Sequence, residues 1–159
     1  MRLHIAVLFL LFAAVAWGAD AVPARSIRSV SVGAVQIEPA LIMPLAGANE
    51  ALVRERLADE VRSAGVRLGN GHAIQDDAYF EAVIDGAFVA QNSVAYRVDI
   101  ALKQRPIGTG AKISMPKTVG QRSVTGTVSA AGLSIQVLVA LEELAADLLR
   151  EHAAATRSS

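Results

Sequence analysis

Two stretches of strict alternation, residues 78–91 and 95–104, flank a short Asn92-Ser93 turn, and this pattern constrains the chain more than any other. In the first stretch Phe80, Ala82, Ile84, Gly86, Phe88 and Ala90 share one parity. Tyr79, Glu81, Val83, Asp85, Ala87, Val89 and Gln91 share the other. In the second, Tyr96, Val98, Ile100 and Leu102 alternate with Arg97, Asp99, Ala101 and Lys103. Successive side chains of a strand point to opposite faces, so the pattern predicts a β-hairpin with one apolar and one charged face. A lone hairpin is marginal in water, and the rest of the chain must therefore cover the apolar face. Phe80, Phe88 and Tyr96 are expected in that core, with Tyr79 turned outward.

The covering elements are legible on either side. Residues 27–37 alternate as a strand whose phase changes at Gly33-Ala34, which predicts a bulge there. Pro39 ends it, and 40–48 reads as a loop. Asn49 is an N-cap candidate, and Glu50 places a negative charge in the first turn of the helix that follows. Val53, Leu57, Val61 and Ala64 recur at helical spacing, widened by Leu52. Glu50–Arg54 and Asp59–Arg62 suit surface ion pairs, each contributing about 0.2–0.5 kcal/mol. Gly65 then supplies a left-handed stop, with Val66 folding back on Val61. After a prolonged connection at 105–117, residues 118–129 resume as a strand with Val124, Gly126 and Val128 on one face. A last helix, starting between Ser129 and Ser134, carries Ile135, Leu138, Leu141, Leu144, Ala145, Leu148 and Leu149. The order β-α-β-β-β-α predicts an α+β two-layer sandwich: two helices packed on one face of a four-stranded, mainly antiparallel sheet. The other face, carrying Glu81, Asp85, Arg97, Asp99 and Lys103, is left for water or a partner.

The N-terminus argues for export. Arg2 precedes twelve apolar residues, Ile5 to Ala16. That is too short for a membrane-spanning helix, which needs about 20 residues, but it matches the core of a secretory signal. Small residues at peptidase spacing place cleavage after Gly18 or after Ala21, so residues 1–21 read as a signal peptide and 22–159 as a single domain. No later apolar stretch has spanning length. The chain carries 15 basic and 15 acidic residues, a net charge of +0, which gives no general field for nucleic acid or anionic lipid. It has no cysteine, which excludes disulfides, thiolate metal sites and an acylated lipoprotein cysteine. The alanine-rich, arginine-over-lysine composition resembles that of a high-GC bacterium, so the exported product is expected in the periplasm or the medium.

Candidate chemistry is thin. Pro106 to Lys112 carries two glycines and a lysine, but it follows a hairpin strand, precedes Pro116 and misses the phosphate-loop spacing. His72, Asp76 and Asp77 offer one imidazole and two carboxylates, too few for a metal site with its supporting shell. Glu81, Asp85 and Asp99 share a face with Arg97 and Lys103, so cross-strand charge pairing is expected there rather than an acid/base couple. The Gly-x-Ser-x-Gly elbow of serine hydrolases is absent. No catalytic residue, cofactor or metal is expected.

The run Tyr79-Phe80-Glu81-Ala82-Val83-Ile84-Asp85-Gly86-Ala87-Phe88, then Ala95-Tyr96-Arg97-Val98-Asp99-Ile100-Ala101-Leu102, follows a helix closing on Ala64-Gly65-Val66. Together they resemble the N-terminal α/β domain of TolB and the LptE and transport-auxiliary lipoproteins of the bacterial envelope, over roughly residues 27–152. The chain departs from the lipoproteins in lacking a lipobox cysteine. The resemblance implies a non-enzymatic adaptor docking to another envelope protein. Tyr79, Glu81, Asp85, Arg97, Asp99 and Lys103 are the expected partner contacts. The alternative is a small-ligand binder or hydrolase using a cleft beside the 105–117 connection or the 40–48 loop.

Overall fold

The computed structural model describes residues 27–70, 77–105 and 115–157. The expected signal peptide, His72, Asp76 and the Pro106–Lys112 run lie outside the described residues. The elements are β1 (Ser29–Ile37), α1 (Glu50–Ser63), β2 (Arg67–Leu68), β3 (Ala78–Ala90), β4 (Ser93–Gln104), β5 (Lys117–Ser129) and α2 (Leu133–Arg157). The fold is α+β with both helices on one face, as expected, but the sheet has five strands in the order β2-β1-β3-β4-β5. β1 pairs in parallel with both β2 and β3, whereas β3, β4 and β5 form an antiparallel meander. The sheet is therefore mixed. A parallel neighbour requires a crossover, and α1 supplies it between β1 and β2.

The phase change in β1 is a bulge: the pairing with β3 shifts between Val32 and Val35, so Val30, Val35 and Ile37 stay on the helix side with Ala78, Ala82 and Ile84. The end of α1 follows its sequence closely. Asn49 accepts a hydrogen bond from the Leu52 amide at 3.0 Å. At the other end Gly65 is the only described residue with a left-handed backbone, at φ 72°, and the Val66 amide returns to the Val61 carbonyl at 3.2 Å. Both expected ion pairs of α1 form, Arg54–Glu50 at 2.9 Å and Arg62–Asp59 at 2.5 Å. Ala64 is exposed rather than part of the apolar stripe, because the helix has ended at Ser63.

The core is one cluster between the layers. Val53, Leu57 and Val61 of α1 and Leu133, Val137, Leu141, Ala145 and Leu148 of α2 meet Phe80, Ile84, Val94, Val98, Ile100 and Leu102 of the sheet. Ile135 is 66% exposed, because α2 docks through Leu133, Val137 and Leu141, roughly the opposite side of the helix. Segment 39–48 is not a simple loop. It opens with a 3-10 turn, Pro39–Leu41, and sinks Leu41, Leu45 and Ala48 into the core. Phe88 is 50% exposed although its parity is that of the core, because the hairpin runs on past Gly86, which Leu41 covers. Tyr96 is half-buried against the core.

Near the C-terminal end of α2, burial pushes the His152 imidazole below its ordinary pKa, with neighbouring Glu151 opposing and Arg122 reinforcing the shift. A histidine with a lowered folded pKa binds fewer protons folded than unfolded. Stability should therefore rise with pH up to the ordinary histidine range and fall as the medium is acidified below it. Thermal melting at pH 5.5 and 7.5 should show this dependence, flattened in His152→Gln.

Candidate functional site

Both helices cover one side of the sheet, and alternation sends the charged parity of the hairpin to the other. None of the outward-alternating residues of β3, β4 and β5 is buried. Register fixes their neighbours. Asp85 stands opposite Arg97, Val83 opposite Asp99, Glu81 opposite Ala101 and Tyr79 opposite Lys103. β5 continues the rows with Thr127, Thr125, Ser123 and Gln121 beside Ala95, Arg97, Asp99 and Ala101.

The expected charge pairing is present in a different pattern from direct cross-strand opposition. Lys103 reaches diagonally to Glu81 in an ion pair, and the hydrogen bond it donates there raises the lysine pKa, against a smaller opposing effect of desolvation. Arg97 turns along its own strand and grips Asp99 with two contacts, Nε to Oδ2 at 2.7 Å and Nη2 to Oδ1 at 3.0 Å. Asp85 directly faces Arg97 in the register yet forms no ion pair among the described residues. Its Oδ1 accepts from the Gly86 amide at 2.7 Å. Tyr79 is half-buried, with the Arg105 guanidinium 4.8 Å from its ring centroid. Thus all six predicted contact residues lie on one face, four as two self-neutralised pairs.

Small side chains make this face concave at the hairpin end. Asp85, Gly86, Ala87, Ala95, Tyr96, Arg97, Thr125, Gly126 and Thr127 line an open trough of about 570 Å³. Sequence reasoning names Asp85 and Arg97 here but misses the alanines and threonines that form the floor, whose only signal is small size at matching positions on three strands. Of the alternative cleft, the 40–48 side is filled by Leu41 and Leu45, and most of the 105–117 connection lies outside the described residues. Asp77 is occupied with chain organisation: its Oδ2 accepts from the Arg28 amide and its own amide donates to Ser29 Oγ. Among the described residues no group of three or more His, Asp or Glu could hold a metal ion, and no helix is long and apolar enough to cross a membrane.

A second surface is apolar. Ile42, Met43, Phe88, Val89, Ile135 and Val139 are all exposed, and the topology brings them to the hairpin end. The Glu38 amide bonds to the Ile84 carbonyl, Leu41 lies on Gly86, and Ser134 Oγ donates to the Pro44 carbonyl at 3.3 Å. The pairing slips between Phe88 and Ala90, so Val89 bulges out. The consecutive apolar pairs Ile42-Met43 and Phe88-Val89, which no alternating strand can bury together, are the sequence signal for it.

No protein-family model and no curated protein matches the chain. Solved structures do. The hypothetical protein CT253 from Chlamydia trachomatis superposes with a TM-score of 0.56 at 11% identity, over 79% of this chain and 98% of that one. PelC from Paraburkholderia phytofirmans, solved as a dodecamer, gives 0.39 at 16% identity over 78% and 85%. Rare lipoprotein B from Shewanella oneidensis gives 0.35 at 8% over 82% and 94%. Other bacterial lipoproteins are among the likenesses. The finer assignment to the TolB or LptE groups draws no support from them. What the comparison with CT253 establishes is the fold: a two-helix, mixed-sheet α+β domain shared by proteins of very different sequence.

Proposed function

We propose that this chain is an exported, non-enzymatic binding module that engages another envelope protein through the helix-free face of its sheet. One observation carries the reading: among the described residues, a whole sheet face is free of helices and dished at its hairpin end, where Asp85 and Arg97 line the dish. The chemistry suits a protein partner. Glu81–Lys103 and Arg97–Asp99 enter any interface already neutralised, which lowers the cost of desolvating them. Asp85 offers an acceptor to a cationic or amide group of the partner. The N-terminal signal pattern supports the envelope as the compartment, and sequencing the mature N-terminus should find Ala19 or Val22.

The test is capture by crosslinking in the envelope fraction, then binding to the captured partner. Asp85→Lys and Arg97→Glu should each weaken binding by about tenfold or more, since like charge is then presented where the partner is complementary. Each reversal puts like charge opposite its register partner, and Arg97→Glu also releases Asp99, so melting temperature should fall modestly, by the equivalent of about 1 kcal/mol, with the fold retained. Unchanged binding by both variants would remove this face from the reading.

A further inference from the structure

The two edges of the sheet differ in a way that bears on assembly. On one side β2 pairs with β1 over Ser29 and Val30 only, and Arg54 Nη1 of α1 donates to the Val32 carbonyl at 3.3 Å, so a helix side chain occupies that edge. On the other side lies β5, thirteen residues long and, among the described residues, paired through β4 alone. Edge strands that must stay single are normally short, broken by proline or bulges, or charged. In β5 the pairing slips only near its start, opposite Leu102/Lys103, and Gln121–Ser129 is regular thereafter. That segment contains no proline and one charge, Arg122, which is held by Glu151 of α2 at 2.5 Å.

The parity of the free groups follows from one hydrogen bond. The Ala130 amide donates inward to the Asn92 carbonyl at 3.0 Å, continuing the ladder, so in this antiparallel pair the even-numbered residues 122–128 bond to β4. Gln121, Ser123, Thr125, Thr127 and Ser129 then direct amide and carbonyl outward. The same residues carry their side chains on the helix-free face, and all are exposed.

We propose that the occupant of this edge is a second copy of the chain, with β5 pairing antiparallel to β5 about a two-fold axis at Thr125. That register uses the regular segment end to end: Thr125 meets its own copy, Ser123 meets Thr127, and Gln121 meets Ser129. On the helix side Arg122 meets Val128 and Val124 meets Gly126. No charge meets its like, short hydroxyl side chains meet each other, and the half-buried Val124 and Val128 gain cover. A two-fold pairing of this kind is isologous, so closure is automatic. The sheet becomes ten-stranded, and the two troughs, each bordered by Thr125 and Thr127, lie side by side across the axis. The inference is independent of the partner reading, because it concerns the purified chain alone.

Sedimentation of the mature chain over the micromolar range tests it. Wild type should run at twice the chain mass. Thr125→Glu should weaken the dimer by about tenfold or more through opposed like charges, while leaving the fold intact, since Arg97 lies beside position 125. An equimolar mixture of Thr125→Glu and Thr125→Lys should restore the double mass as a heterodimer, which misfolding could not mimic. A monomeric wild type would overturn the proposal, leaving the edge to an extended segment of some other protein. So would a dimer indifferent to Thr125→Glu but broken by Phe88→Ser, which would place the interface at the apolar hairpin end.

Discussion

Phe80→Ala is expected to destabilise the domain by about 3–5 kcal/mol, a large part of the roughly 5–15 kcal/mol that holds such a domain folded. Phe80 is fully buried and the largest side chain in the core. It is flanked in the sheet by Val32 and Leu102 and belongs to the cluster that both helices close over. Its removal costs the transfer free energy of the ring and leaves a cavity that a close-packed sheet cannot collapse into. Phe88 provides the internal contrast. It has the same parity on the same strand but is half exposed, so Phe88→Ala should cost no more than about 1 kcal/mol. Urea denaturation of the two variants measures both. Equal losses would mean that the helical layer covers the hairpin to its tip, contrary to the structure.

Gly86→Ala is expected to be as damaging as many core truncations, by about 3 kcal/mol, through overpacking. A Cβ at this position would stand inside contact distance of the Ala95 carbonyl oxygen, 3.1 Å from Tyr96 Cα and 3.2 Å from Leu41 Cδ1. The first two are backbone atoms of the paired strand and cannot step aside without breaking the β3–β4 register. The expected signature is a lowered denaturation midpoint with faster amide exchange in both the hairpin tip and the Pro39–Leu41 turn. Gly65→Ala serves as the comparison. Its Cβ would meet nothing within 4 Å, so the cost is only that of holding a non-glycine residue at φ 72°, about 1–2 kcal/mol.

Much of this architecture is legible because several elements are over-determined. The hairpin carries more than twenty alternating positions, and a slip of one residue would invert every side chain, so its register and the shared face of the six expected contact residues follow from pattern alone. α1 is marked at both ends by Asn49 and Gly65. Other features leave no local trace. β2 is two residues long, too short for any period, and exists because the crossover from β1 returns alongside it. The parallel sense of β1 is likewise set by distant contacts. In α2, apolar residues fill positions 133, 135, 137, 138, 139 and 141, so several helical phases satisfy the pattern equally. Packing against β4 and β5 selects Leu133, Val137 and Leu141, leaving Ile135 outside. The misplacement of Phe88 has the same origin: alternation reports which face a residue is on, not where the covering layer ends.

At the site, the sequence shows which charges share a face but not how they partner. Arg97 bonds along its strand to Asp99 rather than across to Asp85, because a bidentate grip on Asp99 is the better geometry for a planar guanidinium. That leaves Asp85 as the carboxylate most available to a partner and gives the face its direction.

Photo-crosslinking from single positions in the producing cell tests whether the helix-free face is where this protein meets the proposed partner. A photoreactive residue at Ala87, in the floor of the trough, should yield a discrete adduct with another protein. The same residue at Glu55, on the exposed side of α1, should yield none. Adducts from Glu55 with Ala87 silent would place the partner on the helical layer and rule out the helix-free face.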